Sequence, residues 1–203
     1  MKKRAVLNKY IIANLTLVII ASTISAFDGK REGTIFGIGG GTAPYGNSTV
    51  FLPDVYSQGG FGESPVKIRT VAFAINLQLG HGLNEKNAII LNANMIIYQS
   101  DPIRDRLVVQ GFLGPTWNHY FAQKGNTLFT FVGVGIYHFQ LQELEDVKPG
   151  LGLLFGFGYE FSPNYQITIN YGIGRASQIE LNSREKIKVT NKHISILFQA
   201  IKF

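Results

Sequence analysis

The side chains of this chain best suited to moving a proton are its histidines, His81, His119, His138 and His193. For acyl-ester hydrolysis a histidine must lie within about 3 Å of a serine hydroxyl and be oriented by a carboxylate. Only His138 has plausible company: Ser177, with Glu143, Glu145 and Glu180. That set would describe an outer-leaflet hydrolase or acyltransferase working on lipid. The acidic run ELED, Glu143–Asp146, could hold a hard divalent cation through carboxylate oxygens. Four consecutive positions scatter their directions, however, and Lys148 is close by, so a solvated loop is the plainer reading. GIGGGT at Gly37–Thr42 and GLGLLFG at Gly150–Gly156 invite a phosphate-loop reading. Such a loop must open a helix, and neither spacing matches a dinucleotide or Walker pattern. Inward glycines that make room for opposing side chains in a narrow barrel fit these runs better.

The elements that must position these residues alternate strictly. Eight candidate strands run Gly33–Thr42, Val66–Gly80, Asn87–Gln99, Arg106–Phe121, Thr127–Gln142, Gly150–Phe161, Tyr165–Glu180 and Lys192–Phe203. Each meets or exceeds the ~9–11 residues that a tilted strand needs to cross a bilayer. In the sixth, Leu151, Leu153, Phe155, Phe157, Tyr159 and Phe161 oppose Gly150, Gly152, Leu154, Gly156, Gly158 and Glu160. In the seventh, Tyr165, Ile167, Ile169, Tyr171 and Ile173 oppose Gln166, Thr168, Asn170, Gly172 and Gly174. Large apolar residues outside and small or polar residues inside are what a lipid-facing barrel of few strands requires. Thr127–Gln142 carries rings and glycines on one face, so its phase is open. On this topology His119 and His138 fall near opposite ends of adjacent strands and cannot share a site. His81 falls near a turn and His193 at the external start of the last strand. The links Leu83–Lys86, Ala122–Asn126 and Ser162–Asn164 are short and Ala43–Pro65 is long, the pattern of periplasmic turns and external loops. Trp117, Tyr120, Phe121, Phe161 and Tyr165 gather near one set of strand ends, as an interfacial girdle would.

The first nine residues carry Lys2, Lys3, Arg4 and Lys9 and no acid. An uncharged stretch from Tyr10 to Phe27 follows, ending in small residues. These are the parts of a secretory signal peptide, with cleavage expected after Ala26. The expected domains are residues 1–26 as leader and 27–203 as barrel. Cleavage would take four of the 19 basic residues and none of the 13 acids, leaving a net charge of +2. Nucleic-acid binding then has no electrostatic basis. The chain has no cysteine, which excludes disulfides, thiolate metal sites, a cysteine nucleophile and a lipoprotein anchor. No cofactor and no resident metal are expected.

With the leader, the alternating segments, GLGLLFGFGYEFSPNYQITINYG and the terminal IKF in view, the chain resembles the small eight-stranded outer-membrane barrels. These are the transmembrane-domain, opacity-protein and OmpX-like kinds. Its FDGKREGTIFGIGGG also resembles a group of barrels with no assigned activity. The resemblance implies an all-β, eight-stranded antiparallel up-and-down transmembrane β-barrel in the cell outer membrane. It implies contact with outer-membrane lipid and lipopolysaccharide. It further implies recognition of the terminal strand, through Ile201 and Phe203, by the barrel assembly machinery. The chain departs from the resemblance at Ser195 and Gln199, where the terminal strand of such barrels usually turns apolar residues outward. It departs as well at Gln140, where lipid A deacylase barrels carry a serine two residues after their histidine.

Asn76, Asn92, Glu160 and Asn170 are expected to point inward, with Gln78 and Asn94. The interior of an eight-stranded barrel is just wide enough for side chains to fill, so these groups should form a hydrogen-bonded plug. Tyr45, Phe51, Tyr56 and Phe61 in the long link could dock an extracellular ligand, since binding residues often sit on loops held by a rigid scaffold. Alternatively, that link folds back as a strand extension. The expected function is a non-enzymatic barrel displaying external loops for adhesion, envelope integrity or ligand contact. The rivals are the lipid A-modifying enzyme centred on His138 and a narrow channel for small solutes.

Overall fold

A computed structural model describes residues 31–51, 63–68, 72–100, 106–123, 126–141, 145–179 and 186–203. The leader, residues 52–62 with Tyr56 and Phe61, and Glu143 and Glu180 lie outside the described residues. The strands are β1 (Gly33–Phe51), β2 (Glu63–Ile68), β3 (Ala72–Asn84), β4 (Asn87–Ser100) and β5 (Arg106–Tyr120). They continue as β6 (Thr127–Leu141), β7 (Glu145–Ser162), β8 (Tyr165–Ile179) and β9 (Lys186–Lys202). Every pairing is antiparallel between neighbours, and β1 pairs with β9 to close the sheet. Short β2 lies along Gly46–Phe51 of β1, and β3 lies along Gly33–Ala43 of the same edge. The two form one interrupted stave, so the wall is a closed eight-stranded barrel.

Four strands differ from the sequence expectation by more than a residue: besides the first two, β7 begins at Glu145 and not Gly150, and β9 at Lys186 and not Lys192. The first strand does not stop at Thr42 but runs to Phe51, so the long link is shorter than Ala43–Pro65. Val66–Gly80 is replaced by β2 and β3. Pairing, not hydrophobic alternation, carries these extensions: Gly46–Phe51 is held by β2 on one side and by Lys188–His193 of β9 on the other.

At one end of the barrel the turns are tight. Asn84 Oδ1 accepts hydrogen bonds from the backbone N–H groups of Lys86 and Asn87, both at 2.9 Å, a side-chain turn typical of asparagine. Thr127 Oγ1 accepts from the Ala122 N–H at 2.9 Å. Pro163 and Asn164 alone join β7 to β8. This is the turn end; the opposite, loop end carries the β1–β2 extension.

Facing follows size. Leu151, Leu153, Phe155, Phe157, Tyr159 and Phe161 of β7 are exposed, while Leu154 and Glu160 are buried. The open phase of β6 is settled: Phe129, Phe131, Tyr137 and Phe139 are inside, and Leu128, Val132, Val134 and Ile136 are outside. Glycine makes this possible, because Phe129 lies over Gly158 and Phe131 over Gly156, where any Cβ would strike the ring. The β9 phase is corrected. Ser195 and Gln199 are buried inside, and the outward residues are Ile194, Ile196 and Phe198. The supposed departure from the barrel pattern is therefore a matter of parity: the even positions of this strand face out.

Candidate functional site

The interior holds the densest polar chemistry. Gln166 Nε2 donates to Gln199 Oε1, Gln199 Nε2 to Asn76 Oδ1, and Asn76 Nδ2 to Asn92 Oδ1, each at 2.7 Å. Gly39 of β1 stands in register between Gln199 and Asn76. A Cβ there would meet the Gln199 side chain, so only glycine lets the amide cross the closing seam. Buried amides require such partners. Asn170 is buried opposite Ser195, whose hydroxyl receives Asn94 Nδ2 at 3.5 Å. Gly37 and Gly41 also point inward at the seam, so GIGGGT is a row of clearances within a strand.

Glu160 belongs to a second cluster that sequence reasoning missed. Arg31 reaches it through Nη2 at 2.9 Å and Nε at 3.1 Å. The Arg31 Nη1 donates to the carbonyls of Glu85 and Ala122, both at 2.8 Å. Its guanidinium carbon lies 4.3 Å from the centre of the Tyr120 ring. Arg31 is 1 % exposed. Gly33, at φ 103°, turns the chain out of this site into β1 in a backbone conformation that favours glycine. Tyr120 is thus no member of the outer girdle: it is fully buried, with Arg31 over its ring and the Phe129 ring 4.9 Å away. The signal for Arg31 was present, since an inward carboxylate calls for a cation.

Of the histidines, His193 is corrected from the rim to the interior. It is fully buried, and its Nδ1 lies 2.8 Å from the Tyr137 hydroxyl. Its ring covers Gly172 and the Tyr137 ring covers Gly174. His138 is outward on β6, opposite Gly111. Ser177 is on β8, and β7 stands between them, so about 10 Å of wall separates the two. The structure does not bring this pair together. His119 is outward, 2.9 Å from Asn87 Oδ1, with the Trp117 ring tilted against it and the Phe121 ring edge-on. His81 is outward near the turn end.

Tyr45 lies in β1, outward and exposed, opposite Ile194. Phe51 pairs with Glu63 and Lys188 through its backbone. Ile201 is buried at the turn end, and Phe203 packs there edge-on against Tyr120, ring centres 6.0 Å apart. Outside, Phe161, Tyr165 and Phe198 stack together, and with Trp117 and Phe121 they make an exposed aromatic row at the turn end.

No protein-family profile matches the chain, and no curated protein matches it. Solved structures do. Neisserial surface protein A superposes with a TM-score of 0.50 at 14% identity, covering 85% of this chain and 100% of that one. The outer membrane protein OprG from Pseudomonas aeruginosa gives a TM-score of 0.45 at 17% identity, covering 87% and 99%. Ail, the attachment invasion locus protein of Yersinia pestis, gives 0.44 at 16%, covering 83% and 99%. At such identities the likeness is one of fold: the chain has the architecture of the small eight-stranded outer-membrane β-barrels.

Proposed function

We propose that this protein is a non-enzymatic, integral outer-membrane barrel that carries its loop-end extension and the segment 52–62 to an extracellular ligand. A barrel with large apolar residues outside, including Leu151, Phe157 and Val132, needs lipid around it. The turn-end aromatics fit an interface belt. By the rule that short turns face the periplasm, the loop end faces outward. Cleavage of residues 1–26 and recognition of the terminal strand by the assembly machinery belong to this reading.

The observation that carries it is the filled interior. The chain Gln166–Gln199–Asn76–Asn92 spans the seam, while Phe129 and Phe131 lie over Gly158 and Gly156 of the neighbouring β7 and Tyr137 reaches Gly174 of β8. A bore packed in this way suits a rigid support better than a conduit. What remains free to vary is the loop end, where β1 and β2 continue beside β9, which stays paired to β8 on its other edge.

The test compares cells with and without the protein, and cells whose residues 52–62 are replaced by a Gly/Ser linker. We expect identical lipid A mass spectra in all three and silent planar-bilayer recordings from the purified barrel. Surface adhesion of the cells should fall with the linker. A gained or lost acyl chain would make the protein an enzyme, and discrete conductance steps would make it a channel. Unchanged adhesion would remove the role given to residues 52–62.

A further inference from the structure

The outward face of β7, β8 and β9 changes character at the loop end. Along β8 it runs Tyr165, Ile167, Ile169, Tyr171, Ile173 and then Arg175; along β9 it runs Phe198, Ile196, Ile194 and then Lys192. Beyond these, Lys148 of β7 and Lys188 of β9 pair with the same residue, Ser177 of β8, from its two sides. Arg175 shares that face two residues away. Strand spacing and rise put the Cα atoms of these three cations within about 10 Å of one another, around one hydroxyl. All three are exposed, and among the described residues none forms an ion pair.

The wall is built around this place. The β7–β8 ladder is broken between Pro149 and Gly152. A recess of about 510 Å³ opens there, lined by Lys148, Pro149, Gly150, Arg175, Ser177 and Lys188, among others, with no carboxylate among the described residues. A side chain at Gly150 would strike the Arg175 carbonyl. The opposite wall differs, for the outward face of β5 stays apolar to Leu107.

We propose that this recess binds the phosphorylated headgroup of an outer-leaflet glycolipid. Arginine offers a planar fork that matches phosphate oxygens, and lysine adds point charges. The cations stand where the apolar wall ends, so a lipid could lay its acyl chains on Ile173, Ile194 and Leu151 with its phosphates at the recess. A soluble anionic glycan would have no reason to meet the apolar side of the wall. Tyr45, outward beside Ile194 and two register positions from Lys192, offers a ring at headgroup depth. The inference rests on the outer-membrane placement proposed above.

The test uses the full chain purified in neutral detergent, with bisphosphorylated lipid A or its dephosphorylated form, and native mass spectrometry to count bound lipid. Each cation near an anionic surface strengthens association about fivefold, so the K148Q/R175Q/K188Q variant should bind lipid A roughly a hundredfold more weakly. Dephosphorylated lipid should bind the native protein no better than that, and K86Q at the turn end should change nothing. Equal retention by native protein and triple variant, both shown folded by heat-dependent gel mobility, would overturn the site. Equal binding of the two lipid forms would overturn it too. Membrane fractionation reads the cellular placement separately, so a barrel that reaches the outer membrane yet ignores the phosphates counts against this site alone.

Discussion

Arg31 and Glu160 form a two-pronged ion pair inside the barrel, at 2.9 and 3.1 Å, that ties the start of the described chain to β7 across the turn end. The same guanidinium holds the β3–β4 turn through Glu85 and the β5–β6 turn through Ala122. One side chain therefore joins four parts of the wall. With Tyr120 beneath it and Phe203 packed on Tyr120, it brings the first and last described residues together at this end.

Breaking that pair should cost more than losing it. Glu160→Leu strands a buried guanidinium and Arg31→Met strands a buried carboxylate, and each is expected to destabilise by about 3–5 kcal/mol. The double variant should cost clearly less than the sum, because neither charge is left alone. Reversible urea unfolding of the refolded barrel measures all three. Strictly additive losses would mean that the two charges do not depend on one another in the folded wall.

Gly39 predicts a steric effect at the closing seam. Gly39→Val places a branched side chain where Gln199 crosses from β9 to Asn76. Overpacking of this kind costs about 1–3 kcal/mol, and an unpaired buried amide adds about 1–3 kcal/mol more. Truncating the side chain in a Gly39→Val/Gln199→Ala double variant should recover only part of the steric cost, since the Phe198 carbonyl stays 2.9 Å from the added Cβ, while Asn76 stays without its donor. If Gly39→Val alone unfolds at the native urea midpoint, glycine at the seam has no such function.

Tyr137 and His193 offer a third test, free of size changes. Tyr137→Phe removes the hydroxyl 2.8 Å from His193 Nδ1 and leaves the ring over Gly174. A buried polar atom deprived of its partner costs about 1–3 kcal/mol. Gly174→Ala instead collides with the body of the Tyr137 ring, which cannot swing away as a chain end could. It should therefore be partly rescued by a smaller residue at 137, whereas Tyr137→Phe should not rescue it. Equal unfolding curves for native and Tyr137→Phe would show that the hydroxyl contributes nothing.

How far the sequence could be read divides along physical lines. The phases of β3, β7 and β8 were legible because size and polarity alternate within each strand, as in Leu151 against Gly152. The phase of β6 was not, because Phe129 and Gly133 share a face. What reconciles them is Gly158 on β7, a partner that no single strand reveals. Gln199 was misplaced because placing the terminal aromatic Phe203 on the lipid face sets the parity of the whole strand, and Phe203 packs inside instead. Arg31 was hidden by its place in a polar lead-in, although Glu160 was read as inward. The pairing of Lys148 and Lys188 on Ser177 depends on a bulge, which alternation cannot announce.

Trp117 is the only tryptophan of the chain, and that makes the direction of the wall measurable. It is outward on β5, 51 % exposed, beside Ile89 and with His119 and Phe121 following on the same face. In a lipid-facing wall its ring lies at the interface, where aromatic belts form. Its emission should then move to shorter wavelength on refolding from urea into bilayers. Lipids brominated near the headgroup should quench it more strongly than lipids brominated near the chain ends, and aqueous iodide should quench it weakly. A soluble barrel with the same register would leave Trp117 in water, with iodide as the effective quencher and the brominated lipids silent. Because no second tryptophan contributes, either pattern reports this position alone, and through the β5 register it reports the facing of Leu113 and Leu107 as well.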